Sequence, residues 1–176
     1  AVTSSGATLT WDATEDATGY KVYLNSVLQG TSTSNSYVLS GLKPGTSGTV
    51  EVSAIYSSGE GSKTKLTITT LIDIPAIPKI SSSGATTASV SWTADTNATG
   101  YVLNLGDASG TLLKSLTATA GSTSYLITGL NVLTTYTVTI TNQYASGNSK
   151  PSGAVSFSTV KEIPTGLVSA LIKTTT

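Results

Sequence analysis

Along residues 129–141, Tyr136, Val138 and Ile140 alternate with Thr135, Thr137, Thr139 and Thr141. Apolar side chains at every second position, with β-branched polar ones between them, predict a strand with one face on a core and the other in water. Leu130 is placed to plug that core. Residues 131–135 then carry the chain from one sheet to another, and the Tyr136 hydroxyl is predicted to turn back onto the backbone of this corner.

The same alternation, punctuated by Gly-rich turns, marks the rest of the chain. In the first half the predicted inward residues are Leu9, Trp11, Tyr20, Val22, Leu24, Tyr37, Leu39, Val50, Val52, Ala54, Leu66 and Ile68. In the second half they are Ala88, Val90, Trp92, Tyr101, Leu103, Leu105, Tyr125, Ile127, Val138, Ile140, Val155 and Phe157. No segment carries a 3.6-residue period. About seven short strands per half indicate an all-β chain of sandwich type.

The two halves are repeats. Trp11 and Gly19-Tyr20 recur as Trp92 and Gly100-Tyr101, an offset of 81, while Tyr37, Gly41-Leu42 and Gly59 recur as Tyr125, Gly129-Leu130 and Gly147, an offset of 88. Seven extra residues therefore fall between Tyr101 and Tyr125. The junctions match as well: Asp73-Ile74-Pro75 recurs as Glu162-Ile163-Pro164. This divides the chain into a first domain, 1–71, a second, 75–160, and a tail, 161–176, that reads as a linker and the first strand of a third repeat or as a strand for exchange. Proline at each junction predicts short, stiff linkers, and hence two rigid bodies end to end.

A Trp closing one strand, a Gly-Tyr opening the next about nine residues on, a Gly-Leu corner, the Tyr136 strand and a Pro-bearing junction together resemble the fibronectin type III family. The resemblance covers nearly the whole chain. It implies two immunoglobulin-like β-sandwiches in tandem, each with strands A, B and E packed on C, C′, F and G. The first repeat departs at the corner, where Gly48 stands in place of the tyrosine. That domain is expected to be the less stable of the two.

Composition narrows the role. Nine cations, all Lys, balance nine anions, charged residues are 10% of the chain, and Ser and Thr make up about a third. With no cluster of cations, nucleic acid is not an expected partner. With no Cys and no His, a thiol nucleophile, a zinc site and a Ser-His-Asp triad are excluded. No cofactor is implied. No apolar run of about 18 residues occurs, so membrane insertion is not expected. The sequence lacks an initiating Met and a signal-peptide pattern, which leads one to expect a mature product or an excised piece.

Three features are candidates for function. Asp12, Glu15 and Asp16 form an acidic cluster in one loop, but the matching loop of the second repeat has only Asp95, and no calcium-loop spacing exists in either. The cluster is read as a solvated loop, with no catalytic or metal residue assigned. Tyr56 and Tyr144 sit at matching positions after the long strands, beside Gly and Ser, where a tyrosine either packs on the sandwich edge or binds a sugar or protein partner. Asn97 heads the one Asn-x-Ser/Thr glycosylation motif.

The expectation is a non-enzymatic spacer or structural module of a surface or secreted protein, in the style of bacterial, archaeal or phage members of the family. Its partners would be protein neighbours in an array, with carbohydrate as an alternative. Two rival roles remain: a subunit of an extracellular filament or virion held by strand exchange, and an adhesion or carbohydrate-binding module using the loop tyrosines. On the sequence, Tyr136→Phe is expected to destabilise the second domain and Tyr144→Phe to be nearly neutral.

Overall fold

A computed structural model describes residues 1–162. Among the described residues there are fourteen strands and no helix. The first sandwich pairs β1 (Gly6–Thr10) with β4 (Ser36–Ser40) in one sheet. Facing it is a four-stranded sheet in the order β3 (Val27–Ser32), β2 (Gly19–Leu24), β5 (Ser47–Tyr56), β6 (Gly59–Thr69). The second sandwich sets β11 (Ser124–Thr128), β8 (Thr87–Ser91) and β7 (Lys79–Ser83) against β10 (Leu112–Thr119), β9 (Gly100–Asp107) and β12 (Thr135–Tyr144). The free side of β12 is completed by β13 (Gly147–Asn148) and β14 (Val155–Ser158). All pairings are antiparallel, as hairpin-connected alternating strands require.

The extra residues of the second repeat lengthen one hairpin. Gly19 to Gly100 is an offset of 81 and Ser32 to Thr119 is 87, so six residues lengthen the hairpin, two in each of β9 and β10 and two in the turn between them, and a seventh falls before β11.

The corner forms as the alternation predicts. Leu130 is buried, and the Asn131 N–H donates to the Tyr136 hydroxyl at 2.9 Å while the Tyr136 ring stacks on Phe157 at 5.7 Å. At Gly48 of the first repeat the space is already taken, since a Cβ there would lie 2.8 Å from Leu24 Cδ1. Leu24 thus fills part of the room a corner tyrosine would use.

Both corners share a second device. Thr159 accepts from the Thr134 N–H at 2.9 Å and donates to the Asn131 carbonyl at 2.6 Å; Thr70 does the same with Thr46 at 3.0 Å and Lys43 at 2.6 Å. Both threonines are buried, and each ties the end of the last strand of its sandwich, β6 or β14, to the turn before β5 or β12.

The cores differ in size. Fourteen buried apolar side chains cluster in the second sandwich, Tyr101, Leu103, Ile127, Val138 and Ile140 among them, against six in the first, including Val22, Leu39 and Val50. One inward residue departs from expectation. Leu66 pairs with Val50 and faces the inner side, yet it is 62% exposed because no strand among the described residues lies over it. On the polar face of β12, Thr141 is buried rather than in water. The proposed third-repeat strand, with Leu167, Leu171 and Ile172, lies outside the described residues.

Candidate functional site

Two sandwiches in tandem act through whatever fixes their relation, and that relation is set at the joint. Nine residues, 70–78, separate β6 from β7. Ile72 leaves the first sandwich and packs against the core of the second. Ser146, in the loop between β12 and β13, donates its hydroxyl to the Pro44 carbonyl at 2.8 Å, a contact across 102 residues. Beside it Gly45 has φ +66°, and a Cβ on it would lie 2.5 Å from Ser146 Oγ and 2.8 Å from Ile72 Cδ1. Glycine is required there twice over, for the left-handed backbone and for the close approach. The linker is held from the other side by Leu71, whose N–H donates to Thr3 O at 3.1 Å and whose carbonyl accepts from Gly45 N–H at 3.3 Å. The Ser4 hydroxyl donates to the Asp73 carboxylate.

The two loop tyrosines part company. Tyr144 keeps the inward parity of Tyr136, Val138 and Ile140 and is buried. Its hydroxyl donates to Asp95 Oδ2 at 2.6 Å and accepts from Asn142 Nδ2 at 3.0 Å, so its polar end is committed within the fold. Burial, then the Asp95 carboxylate, pushes its pKa up to about 12. By the repeat offsets, Asp95 and Asn142 correspond to Thr14 and Ala54. The first repeat therefore lacks both partners, and Tyr56 remains half-buried against Gly61 at the end of an open groove.

Asp95 was not a candidate in the sequence, yet it organises its loop. It receives Tyr144 and Asn142 at one carboxylate oxygen and the Asn97 N–H at the other, the last at 2.8 Å, while its own N–H donates to Tyr101 at 2.9 Å. The Tyr101 contact repeats in the first sandwich as Thr14 N–H to Tyr20, also at 2.9 Å. Asn97 is exposed at the tip of this loop. Asp12, Glu15 and Asp16 are exposed too, and no group of three acidic, His or Cys side chains among the described residues is arranged to hold a metal ion.

The densest charge chemistry lies on the outer face of β2, β5 and β6. Glu60 accepts from Lys21 Nζ at 2.7 Å, Tyr23 Oη at 2.6 Å and Ser53 Oγ at 2.6 Å, and Lys21 above all, then Ser53 and Tyr23, hold its carboxyl at about 2. Glu51 is buried under Lys65 at 2.9 Å and Lys63 at 3.4 Å, and Lys63 also sits 3.3 Å over the Tyr23 ring. Every charge here has a partner, which makes the patch a closed brace rather than a receptor. Its signal in the sequence was the polar parity of three neighbouring strands, legible only once their register is known.

Comparison with known proteins agrees with this architecture. The Fibronectin type III domain matches residues 1–70 and 73–158. Chitinase A1 of Niallia circulans is 35% identical over a match covering 96% of this chain and 26% of that protein. Exoglucanase B of Cellulomonas fimi is 32% identical over 99% of this chain and 18% of its own length. The chain thus spans about a quarter or less of these relatives. A two-domain fibronectin type III segment of chicken tenascin superposes with a TM-score of 0.73, covering 90% of this chain and 95% of that one, at 21% identity, which speaks to fold alone.

Proposed function

Because the chain belongs to the fibronectin type III family across both sandwiches, we propose that it is a non-enzymatic extracellular spacer, holding modules of a secreted polysaccharide-degrading protein at a fixed separation. The observation that carries this is the joint: Ser146 on Pro44, Gly45 with no room for a side chain, and Ile72 seated on the second core. A flexible tether needs none of these. A spacer that transmits orientation needs all of them, because each removes a hinge at the linker. The polysaccharide context is supported by relatives named as a chitinase and an exoglucanase, of which this chain resembles a minor part. The absence of Cys and His from the sequence, together with the exposure of the Asp12, Glu15 and Asp16 cluster, supports a non-catalytic role.

Small-angle scattering of the chain tests the reading. Each sandwich is as long as its ten-residue central strand, which at ~3.4 Å per residue gives ~70 Å for two end to end before loops are added. A single extended particle of that length is expected, with no reducing sugar released from chitin or cellulose. A side-by-side particle, a broad mixture of interdomain distances, or turnover of either polymer would overturn it.

A further inference from the structure

At the end of the second sandwich nearest the joint lies a cavity of about 850 Å³, within the ~300–1,000 Å³ of small-ligand sites. Its two walls differ in kind. One is the linker, where Ile74, Pro75 and Ile77 present apolar surface and both isoleucines are exposed. The other belongs to the sandwich itself, with Trp92 just after β8, Asp95 in the loop that follows and Asn142 near the end of β12. Trp92 is half-buried: it packs against Tyr101 at 5.3 Å and turns the rest of its indole to the cavity.

The free polar atoms on the sandwich wall are acceptors. The side-chain N–H groups of Asn142 go to Asp95 Oδ2 at 3.3 Å and to Tyr144 Oη at 3.0 Å, which fixes the amide's orientation, since its carbonyl in that place would face a carboxylate. Nothing among the described residues donates to that carbonyl, although Asn142 is only 5% exposed. Asp95 accepts from Tyr144, Asn142 and the Asn97 N–H, three of the about four lone-pair sites of a carboxylate, and keeps one. A buried acceptor without a donor is a cost that whatever enters the cavity removes by bringing O–H or N–H groups. Charge narrows the choice: Asp73 and Asp95 outnumber Lys79 in the lining, so an anion is repelled. The first sandwich has Thr14 and Ala54 where the second has Asp95 and Asn142, so this set of acceptors occurs once.

A molecule with uncharged O–H donors along its edge and a flat C–H face matches both walls. We propose that the cavity holds one pyranose unit of a neutral polysaccharide, its hydroxyls donating to Asn142 Oδ1 and Asp95 and its C–H face lying against Trp92 and the linker isoleucines. This rests on the reading of the chain as a spacer in a polysaccharide-degrading protein and gives that spacer a contact with the polymer. It also moves the sugar-binding role away from Tyr144, whose hydroxyl is committed within the fold, to the two side chains that Tyr144 holds in place. Because the linker supplies one wall, the spacer would rest on the polymer at the joint itself.

The test is titration of the full chain carrying Trp11→Phe, followed at Trp92, with chitohexaose and cellohexaose as neutral probes, trigalacturonate as an acidic one and Nα-acetyl-lysine amide as a small cation. At least one neutral sugar should shift the Trp92 emission saturably, and neither the acid nor the lysine amide should. Asn142→Ala should weaken binding at least ~10-fold through loss of a buried acceptor. Ile77→Asp, on an already exposed side chain, should weaken it as much without loss of folding. Tyr144→Phe loosens the same network from outside the cavity and should weaken binding less than ~3-fold, so an effect equal to that of Asn142→Ala would show Asn142 acting only through the fold and would overturn the assignment. No saturable shift with either sugar at millimolar concentration, an equal response to the acid or the lysine amide, or binding that survives both Asn142→Ala and Ile77→Asp would each overturn the proposal as well. A chain that ignores both sugars yet scatters as one extended particle would sink this site and leave the spacer reading untouched.

Discussion

The hydroxyl of Tyr144 donates to the carboxylate of Asp95 across 2.6 Å of space and 49 residues of sequence. This bond links the end of β12 to the loop between β8 and β9 and makes the top of the second sandwich a closed unit. Its counterpart is missing from the first, where Thr14 and Ala54 replace Asp95 and Asn142. Tyr144 therefore resembles Tyr136 more than Tyr56: each of the two has a buried ring and a hydroxyl spent on a loop.

Tyr144→Phe is consequently expected to destabilise the second sandwich by about 1–2 kcal/mol, because it removes the 2.6 Å donor to Asp95 Oδ2 and the 3.0 Å acceptor of Asn142 Nδ2, and not to be neutral as the sequence suggested. Tyr136→Phe should cost about 1 kcal/mol, and Tyr56→Phe should cost nothing measurable. Trp11→Phe leaves Trp92 as the reporter of the second sandwich in urea unfolding. A Tyr144→Phe midpoint equal to that of the parent would show that the bond contributes no net stability.

The same tyrosine sets an alkaline limit. Its pKa is raised from 10.0 to about 12 in the fold. The folded chain holds this proton more tightly than the unfolded one, so the stabilisation is complete below pH 10 and is lost as pH rises through about 12. Unfolding followed at Trp92 should steepen over that window in the parent and less so in Tyr144→Phe.

Glu60 gives the opposite dependence in the first sandwich. Its carboxyl is held at about 2 against an ordinary 4.5, chiefly by Lys21. Its support is present above pH 4.5 and is lost as pH falls through about 2, since the unfolded chain then binds the proton first. Glu51 is lowered as well, by Lys65 above all, and acts in the same direction. Acid unfolding read at Trp11 should be shallower in Glu60→Gln between those limits, while the Trp92 signal should be unchanged.

The corner threonines predict a paired effect. Thr159→Val keeps the shape but strands the Thr134 N–H and the Asn131 carbonyl, and Thr70→Val does the same to Thr46 and Lys43. Each should cost about 1–3 kcal/mol in its own sandwich. The first sandwich, with the smaller core and Gly48 at its corner, is expected to unfold first in the parent and to show the larger fractional loss.

How much of this the sequence disclosed depends on how local the cause is. Alternation along residues 135–144 fixes which side chains face inward, and the Tyr136 corner follows from a five-residue separation. Tyr144 lay within the same reading, since it continues the parity of Ile140 to the end of β12, but the Gly and Ser that follow it gave it the look of a loop residue. The Glu60 brace and the Asp95 hub could not be read, because each joins residues from three or more separated segments whose register is set by packing. The exposure of Leu66 was hidden for the same reason: parity gives the side a residue faces, and only the opposing sheet decides whether that side is covered.

Gly41 and Gly45 separate backbone strain from interdomain contact. Both have positive φ, +74° and +66°, and an added Cβ costs each about 1–2 kcal/mol for the left-handed backbone alone. At Gly41 that Cβ would meet nothing within 4 Å, whereas at Gly45 it would meet Ser146 Oγ at 2.5 Å and Ile72 Cδ1 at 2.8 Å. Ser146 belongs to the second sandwich and Ile72 packs on its core, so relieving the Gly45 clash turns the Ser146 hydroxyl off the Pro44 carbonyl and displaces the Ile72 side chain, loosening the contact between the sandwiches. Gly41→Ala should therefore lower the unfolding midpoint of the first sandwich and leave the particle's shape alone. Gly45→Ala should do the same to the midpoint and also broaden the distribution of interdomain distances, read by scattering or by a spin label on each sandwich. Ser146→Ala, which removes the bond to Pro44 without a clash, should broaden it less. If Gly41→Ala and Gly45→Ala gave the same distance distribution, the Pro44–Ser146 contact would not be what holds the two sandwiches in line.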